Sequence, residues 1–316
     1  MLRLVRQCSI PLLALTVILV ATAPSLPSFI RRATAQSQSS RVSSPHLALH
    51  DERTSPSDLE LGGDLAGMPR PSTRYITRDQ LLSLPQVSHA VTNDANFTGP
   101  VQISGVSLEE LIRDLAGRPA SDLAVAICDD GYHAHYPQAY VNAHDPLLVL
   151  KVDGQPPSRW PKAAEGGHDM GPFLISQPTF TPSFKIFAHA DEPQIPWGVV
   201  RIEFRDEKTV FTAIAPRGRD ANDKLVQAGF RIAQQNCFRC HNLDKEGGTK
   251  AGHPWIVLAA WATGSPEYFA AYVRNPQSKN PQAQMPGNPG YDDQTIAALT
   301  AYFQTFSASP QSGEKP

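Results

Sequence analysis

Two cysteines and a histidine stand together near the end of the chain, as Cys237-Phe238-Arg239-Cys240-His241. Thiols three residues apart on one helical turn can reach the two vinyl groups of a porphyrin and form thioethers, and the next residue then brings its imidazole beneath the iron. With 4 Cys and 10 His in 316 residues, the pattern arises by chance only about 0.002 times per chain. Two other chemistries use Cys-x-x-Cys. A zinc site needs two more thiol or imidazole ligands, and the sequence holds no second Cys-x-x-Cys pair. A dithiol redox pair belongs in a strand–helix–strand setting, whereas the residues around this motif repeat with helical period.

An iron held by one histidine takes a sixth ligand. Met285, in Gln284-Met285-Pro286-Gly287, is the only methionine among the last hundred residues. A thioether there favours ferrous iron, raises the reduction potential and closes the coordination shell to oxygen chemistry. The alternative is His253, in Lys250-Ala251-Gly252-His253-Pro254, which would give a bis-histidine iron of lower potential.

The elements that must position these residues are helical. From Asp220, a plausible N-cap, Leu225, Val226, Phe230 and Ala233 share one helical face. Ser265-Pro266-Glu267 gives a cap, a proline at the first helical position and an acid. Asp292 opens a last helix in which Ile296, Leu299, Phe303 and Phe306 recur at steps of three and four. Three helices in about 90 residues predict a small all-α domain. Residues from about Asp220 to Phe306 resemble a class I cytochrome c domain. The resemblance rests on Ala228-Gly229-Phe230 before the haem motif, Gly252 and Pro254 after it, Met285-Pro286, and the closing Ala297-Ala298-Leu299-Thr300-Ala301-Tyr302-Phe303. It implies haem c bound covalently by Cys237 and Cys240, with His241 and Met285 as axial ligands. It further implies that Gly229 lets the first and last helices cross closely, with Phe230 facing Tyr302 or Phe303. A backbone carbonyl at Pro254 or its neighbourhood would accept from the proximal imidazole.

The middle of the chain has a different texture. Thr77 and Ser107 can cap short helices, Arg78 to Ser83 and Leu108 to Ala116. Strands are predicted at Val101-Ser104, Leu123-Cys128, Leu147-Val152, Pro172-Ser176, Phe184-His189, Val199-Phe204 and Thr209-Ala213, as β-branched or aromatic runs bounded by Gly, Pro and Asp. The run Gly105 to Leu111, then Cys128-Asp129-Asp130-Gly131-Tyr132, Asp145 to Leu150, Val152 to Pro156 and Gly171 to Ile175 is similar to the sulfite-oxidase-type molybdopterin domain. That family holds molybdenum through a cysteine upstream of the segment matching Gly105 to Leu111. No cysteine lies between Cys8 and Cys128 here, and Cys128 reads as a small core residue. The resemblance therefore implies a cofactor-free relative, a scaffold or docking module, and molybdopterin is not expected. His133-x-His135 puts two imidazoles on one face of an extended segment, able to share copper or zinc with Asp129, Asp130 or His168, or else to stand as loop histidines. Asp191-Glu192-Pro193 and Ile195-Pro196-Trp197-Gly198 read as a turn and the start of a strand. Trp160, Trp197, Trp255 and Trp261 read as packing, the last two able to line a haem pocket.

At the N-terminus Arg3 and Arg6 precede an apolar stretch from Ile10 to Ala23, and Ala33-Thr34-Ala35 before Gln36 fits a cleavage site. The competing reading is an uncleaved anchor of about 20 residues, interrupted by Pro24 and Pro27. Either places the rest of the chain outside the cytoplasm, periplasmic or held at the inner membrane. Lys+Arg 28 against Asp+Glu 30 gives a net charge of −2, which excludes a generally basic nucleic-acid binder. The division expected is a signal peptide or anchor over 1–35, a flexible linker over 36–70, a strand-rich mixed α+β domain over 71–216, an all-α cytochrome c domain over 217–308, and a disordered tail over 309–316. The function expected is that of an exported monohaem cytochrome passing single electrons between a periplasmic dehydrogenase and a downstream carrier or oxidase, with Lys245, Lys250 and Lys279 as steering charges. The alternative is an oxidoreductase whose middle domain oxidises a small, sulfite-like substrate and feeds its own haem.

Overall fold

Short β-branched and aromatic runs become nine strands in the computed structural model, which describes residues 47–117, 121–178 and 191–307. They are β1 (Leu59–Gly63), β2 (Arg74–Ile76), β3 (Val87–Val91), β4 (Val101–Ser107), β5 (Leu123–Cys128), β6 (His133–Pro137), β7 (Leu147–Val152), β8 (Phe173–Ser176) and β9 (Trp197–Arg205). All join one sheet, in the order β2-β1-β9-β8-β7-β4-β3, with β5 paired to β9 and β6. The β1–β9 pair is parallel; the others are antiparallel. The expected strand at Phe184-His189, the N-terminal segment up to residue 46 and the tail over 309–316 lie outside the described residues.

Strand β5 explains how the two halves of the chain meet. Its sequence, Leu-Ala-Val-Ala-Ile-Cys, is apolar at every position, so both faces of the strand need cover. Ala124, Ala126 and Cys128 face the core of the sheet with Ile202 and Phe204. Leu123 and Val125 face the other way, into a core shared with Val226, Ala233, Phe238, Trp255 and Tyr302. An apolar cluster thus crosses the boundary expected between residues 216 and 217, and the described residues pack as one unit.

Eight helices complete the described residues: α1 (Arg78–Ser83), α2 (Leu108–Leu115), α3 (Gln138–His144), α4 (Glu207–Thr212), α5 (Lys224–Gln235), α6 (Trp255–Gly264), α7 (Pro266–Arg274) and α8 (Asp293–Gln304). Thr77 caps α1 through a reciprocal box with Gln80. Four expectations are corrected. The expected linker over 36–70 contains β1, whose Leu59 and Leu61 are fully buried beside β9. Thr209-Ala213 is helical, because the Asp206 carboxylate accepts from the Thr209 amide at 2.6 Å and caps α4. Helix α5 starts at Asp223 rather than Asp220, so Leu225 turns outward, 36 % exposed. The helical part has four helices, not three; α6 was not anticipated because it is almost wholly apolar and shows no 3.6-residue alternation.

The crossing of α5 and α8 forms as the resemblance implies. A Cβ placed on Gly229 would lie 2.0 Å from the Ala298 carbonyl oxygen, so the two backbones touch directly. Phe230 stacks on Tyr302 with ring centroids 5.6 Å apart, and Tyr302 donates its hydroxyl to the Ile214 carbonyl at 2.5 Å. Gly229→Ala gains about 1 kcal/mol of helix propensity, but forcing the helices apart costs more, about 1–3 kcal/mol of overpacking and lost contact. Denaturant unfolding of Gly229→Ala is expected to show a net loss of stability. Gly252→Ala, whose Cβ meets nothing within 4 Å, serves as the neutral reference.

Candidate functional site

Helix α5 delivers the chain into a single 3₁₀ turn, Cys237–Arg239, in which the amides of Cys240 and His241 both donate to the Cys237 carbonyl, at 3.2 and 3.0 Å. Cys237 and Cys240 carry free thiols on this turn. Burial pushes the Cys237 pKa up to about 12 and raises that of Cys240 as well. The following loop wraps back on the motif. Gly248 donates to the Phe238 carbonyl at 2.9 Å, Ala251 to that of Cys240 at 2.9 Å, and Trp255 to that of Asn242 at 2.8 Å. A Cβ on Gly248 would sit 1.8 Å from the Arg239 carbonyl oxygen, so only glycine permits this approach.

His241 is buried, and its Nδ1 lies 2.5 Å from the His253 carbonyl oxygen. As the acceptor is a carbonyl, Nδ1 carries the proton and Nε2 keeps its lone pair. Burial lowers the His241 pKa, against the opposing pull of that hydrogen bond, and so favours the neutral, ligating imidazole. The carbonyl expected near Pro254 is therefore that of the residue before it. The His253 ring, the other candidate ligand, is edge-on to Trp261 at 5.0 Å. Two unpaired thiols three residues apart and an imidazole held in one tautomer form a donor set that fits covalently attached haem.

Met285 is half-buried in the loop between α7 and α8, and its carbonyl accepts from Gln277 Nε2 at 3.1 Å. The loop is tied back to the start of the motif. Asn236 Nδ2, one residue before Cys237, donates to Asn288 Oδ1 at 3.1 Å and to the Tyr291 hydroxyl at 2.7 Å.

The two residues between the cysteines face the sheet. Phe238 is fully buried, stacked on His135 at 4.9 Å and packed edge-on against Trp255 at 5.6 Å. Arg239 Nη2 donates to the Pro193 carbonyl at 2.8 Å. Around them Thr249 donates to the Gly131 carbonyl at 2.8 Å, Lys250 pairs with Asp130 at 2.5 Å, and Arg205 with Glu246 at 2.6 Å. Lys250, expected as a steering charge, is thus paired with a carboxylate of this same chain, though its side chain stays exposed.

The readings of the remaining candidates change accordingly. His135 is neither a loop histidine nor one of a metal-sharing pair. It lies inside β6, and burial drives its pKa to about 3. The His133 ring centroid is 6.4 Å away, Asp130 is engaged by Lys250, and His168 stacks on Trp197 at 5.9 Å. No group of three or more His, Cys, Asp or Glu able to hold a metal ion occurs among the described residues. Cys128 is 4 % exposed in the sheet core, as a small apolar residue would be. Trp255 is wholly buried in the shared core, and Trp261 is half-buried against Tyr268 and Tyr272. The sequence reading missed the contacts of Asp191–Gln194, because a Pro-rich segment between strands carries no periodic signal.

The state of His135 has a measurable consequence. Its pKa is lower folded than unfolded, so between pH 6.5 and 3 the unfolded chain takes up a proton that the folded chain refuses. Stability from this residue is complete above the unfolded pKa and falls as the solution is acidified, by at most about 1.4 kcal/mol per pH unit. His135→Phe, which keeps the stacking ring, is expected to flatten the fall in urea-unfolding stability between pH 7 and 5. Identical pH slopes in the two proteins would refute the buried, neutral assignment.

Residues 224–303, about a quarter of the chain, match the family described as cytochrome C oxidase, cbb3-type, subunit III. The match supports a cytochrome c domain over these residues, and such a domain implies haem c, electron transfer and redox partners in general. No curated protein matches the chain. Among solved structures it is similar to the sulfane dehydrogenase SoxCD from Paracoccus pantotrophus, at 15% identity and a TM-score of 0.33, over 54% of this chain and 45% of that one. The chain thus spans less than half the length of that protein. No helix of the described residues is long and apolar enough to cross a membrane.

Proposed function

We propose that this protein is an exported monohaem c-type cytochrome that passes single electrons between a dehydrogenase and a downstream carrier or oxidase. The observation that carries this reading is the conjunction of two free, unpaired thiols, Cys237 and Cys240, with a buried His241 whose Nδ1 is already engaged by the His253 carbonyl. Cys237 and Cys240 would hold the haem by thioethers, so an exported carrier could not lose it. His241 would ligate the iron through an imidazole nitrogen and Met285 through its thioether sulfur. When bound, the haem would supply a one-electron iron couple, and a thioether ligand would raise its potential. The chain's own contribution is to keep both ligand segments still, so that coordination is the same in both oxidation states. The His253 carbonyl fixes the orientation and basicity of the proximal ring, and the apolar shell of Phe238, Trp255 and Tyr302 excludes water.

Residues 217–308 form the haem domain in this reading. The strand-rich part before it, from β1 onward, is a relative of the sulfite-oxidase-type domain that acts as scaffold rather than as a second redox centre. Its supporting observations are the lack of cysteine between Cys8 and Cys128 and the burial of Cys128, which raises its thiol pKa far beyond that of a metal-ligating group. The segment Arg3 to Ala35 serves as the export signal or anchor.

Two measurements test the proposal. Produced in a host with a haem-ligation pathway, the protein is expected to exceed its polypeptide mass by one haem, and Cys237→Ala with Cys240→Ala to abolish the increment. A mass equal to the polypeptide alone would remove the electron-carrier reading. In the oxidised protein a weak long-wavelength sulfur–iron band is expected, and Met285→Ala is expected to lose it together with a fall in midpoint potential. A band that survives Met285→Ala would assign the distal position to another residue.

A further inference from the structure

The segment Asp191–Gln194 leads from the expected turn into β9, and Asp191, Glu192 and Gln194 are each engaged on both sides. On the sheet side it is fastened to α3 and β6. His144 Nε2 meets Asp191 Oδ2 at 2.8 Å, the Tyr140 hydroxyl accepts from the Gln194 amide at 2.9 Å and donates to the Glu192 carbonyl at 3.2 Å, and Tyr136 donates to the Gln194 carbonyl at 2.8 Å. On the helical side it grips the last residue of α5 and the haem motif. Gln235 Nε2 donates to Asp191 Oδ1 at 3.1 Å, Gln235 Oε1 accepts from the Glu192 amide, and Gln194 Nε2 donates to the Gln235 carbonyl at 3.1 Å. Arg239, inside the motif, donates to the Pro193 carbonyl.

The third attachment reaches the loop that carries Met285. Most of residues 279–290 are exposed, whereas Tyr291, at the end of the loop, is 2 % exposed. Its hydroxyl donates to Glu192 Oε1 at 3.3 Å and accepts from Asn236 Nδ2 at 2.7 Å. Glu192 itself is 5 % exposed. Burial and the neighbouring carboxylate push the Tyr291 pKa up, which keeps the phenol protonated and donating. One short segment of the sheet half therefore binds both the cysteine–histidine turn and the methionine loop.

We propose that Asp191–Gln194 is a positioning strap, with Glu192 as its central residue, that sets the distance between the Cys237–His241 turn and the Met285 loop and so governs how firmly the distal sulfur is held. The inference rests on the haem and Met285 assignment above, and deepens it. It gives the sheet half a role in tuning the haem without any cofactor of its own. Glu192 acts through Tyr291 and touches no ligand directly. A mostly exposed loop that loses one of its buried anchors samples open positions more often, and the sulfur then competes less well with a ligand from solution.

Added imidazole is the probe, with full-length haem-loaded protein in the ferric state. Glu192→Ala and Tyr291→Phe are expected to bind imidazole about tenfold more tightly than the parent, the size of effect set by one lost charge-assisted hydrogen bond, and to have a lower midpoint potential. Glu192→Gln retains an acceptor for the Tyr291 hydroxyl and is expected to stay within about threefold of the parent, a shift below one full tenfold step. Tyr291→Phe removes a single oxygen, which keeps the test open should Glu192→Ala fail to fold. Imidazole affinity that rises in none of the variants, or equally in Glu192→Gln and Glu192→Ala, overturns the strap. A parent protein that carries haem but shows no sulfur–iron band overturns the Met285 assignment instead, so the two failures are told apart before any variant is made.

Discussion

The burial of Phe238 is the contact on which the arrangement of this molecule turns. Its ring lies between His135 of β6 and Trp255 of α6, with Phe211 of α4 6.2 Å away, and none of it reaches solvent. Truncating such a ring costs about 3–5 kcal/mol. The ion pairs that surround the same joint, Lys250–Asp130 and Arg205–Glu246, are partly exposed and are worth about 0–1 kcal/mol each. The apolar wedge therefore holds the haem segment against the sheet, and the charges fix its rotation about that wedge. In a small all-α domain standing alone, the two residues between the cysteines would have no such surface to meet.

That joint exists because β5 has no polar face. A strand with alternating polar residues would present one side to water and leave the helices as an independent bundle. Here Leu123 and Val125 point toward the helices, and a single apolar cluster runs from them through Phe211 and Ile214 to Trp255, Tyr302 and Phe303. The Tyr302–Ile214 hydrogen bond lies inside the same cluster. Domain boundaries read from composition place a seam after residue 216, but the physical continuity of buried surface crosses it.

Much of this was legible in the residues, and what was not has identifiable reasons. The haem motif, the Gly229 crossing and the Phe230–Tyr302 pair follow from spacing and from a family resemblance, because each depends on residues close in sequence or on a fixed helical period. Strands β4, β5, β7, β8 and β9 follow from their β-branched runs. Helix α4 was read as a strand since Thr209, Val210 and Phe211 favour extended backbone, and the cap at Asp206 prevails over that preference. Strand β1 lies among Ser-, Pro- and Gly-rich neighbours and joins the sheet by pairing with β9, about 140 residues away in the chain, with only the short β2 on its other side. Local composition carries no information about such a pairing. The strap at Asp191–Gln194 is illegible for the same reason, since all of its meaning lies in contacts with residues distant in the chain, 136, 140 and 144 on one side and 235, 239 and 291 on the other.

Arg239 shows why a polar joint accompanies the apolar one. Desolvation works against its charge, the neighbouring Glu192 favours it, and its buried Nε makes no hydrogen bond. A half-buried cation with one unmet donor adds little stability compared with an apolar residue of the same size. Its value is in register. The Phe238 ring could slide along the face of β6 with little change in contact area, whereas the Arg239 guanidinium meets the Pro193 carbonyl in one position only. That single position brings Gln235 under Asp191 and Glu192, and Tyr291 within reach of the Glu192 carboxylate. Hydrophobic burial thus supplies the adhesion between the halves, and the costly polar contacts choose the one alignment in which both ligand-bearing segments are held at once.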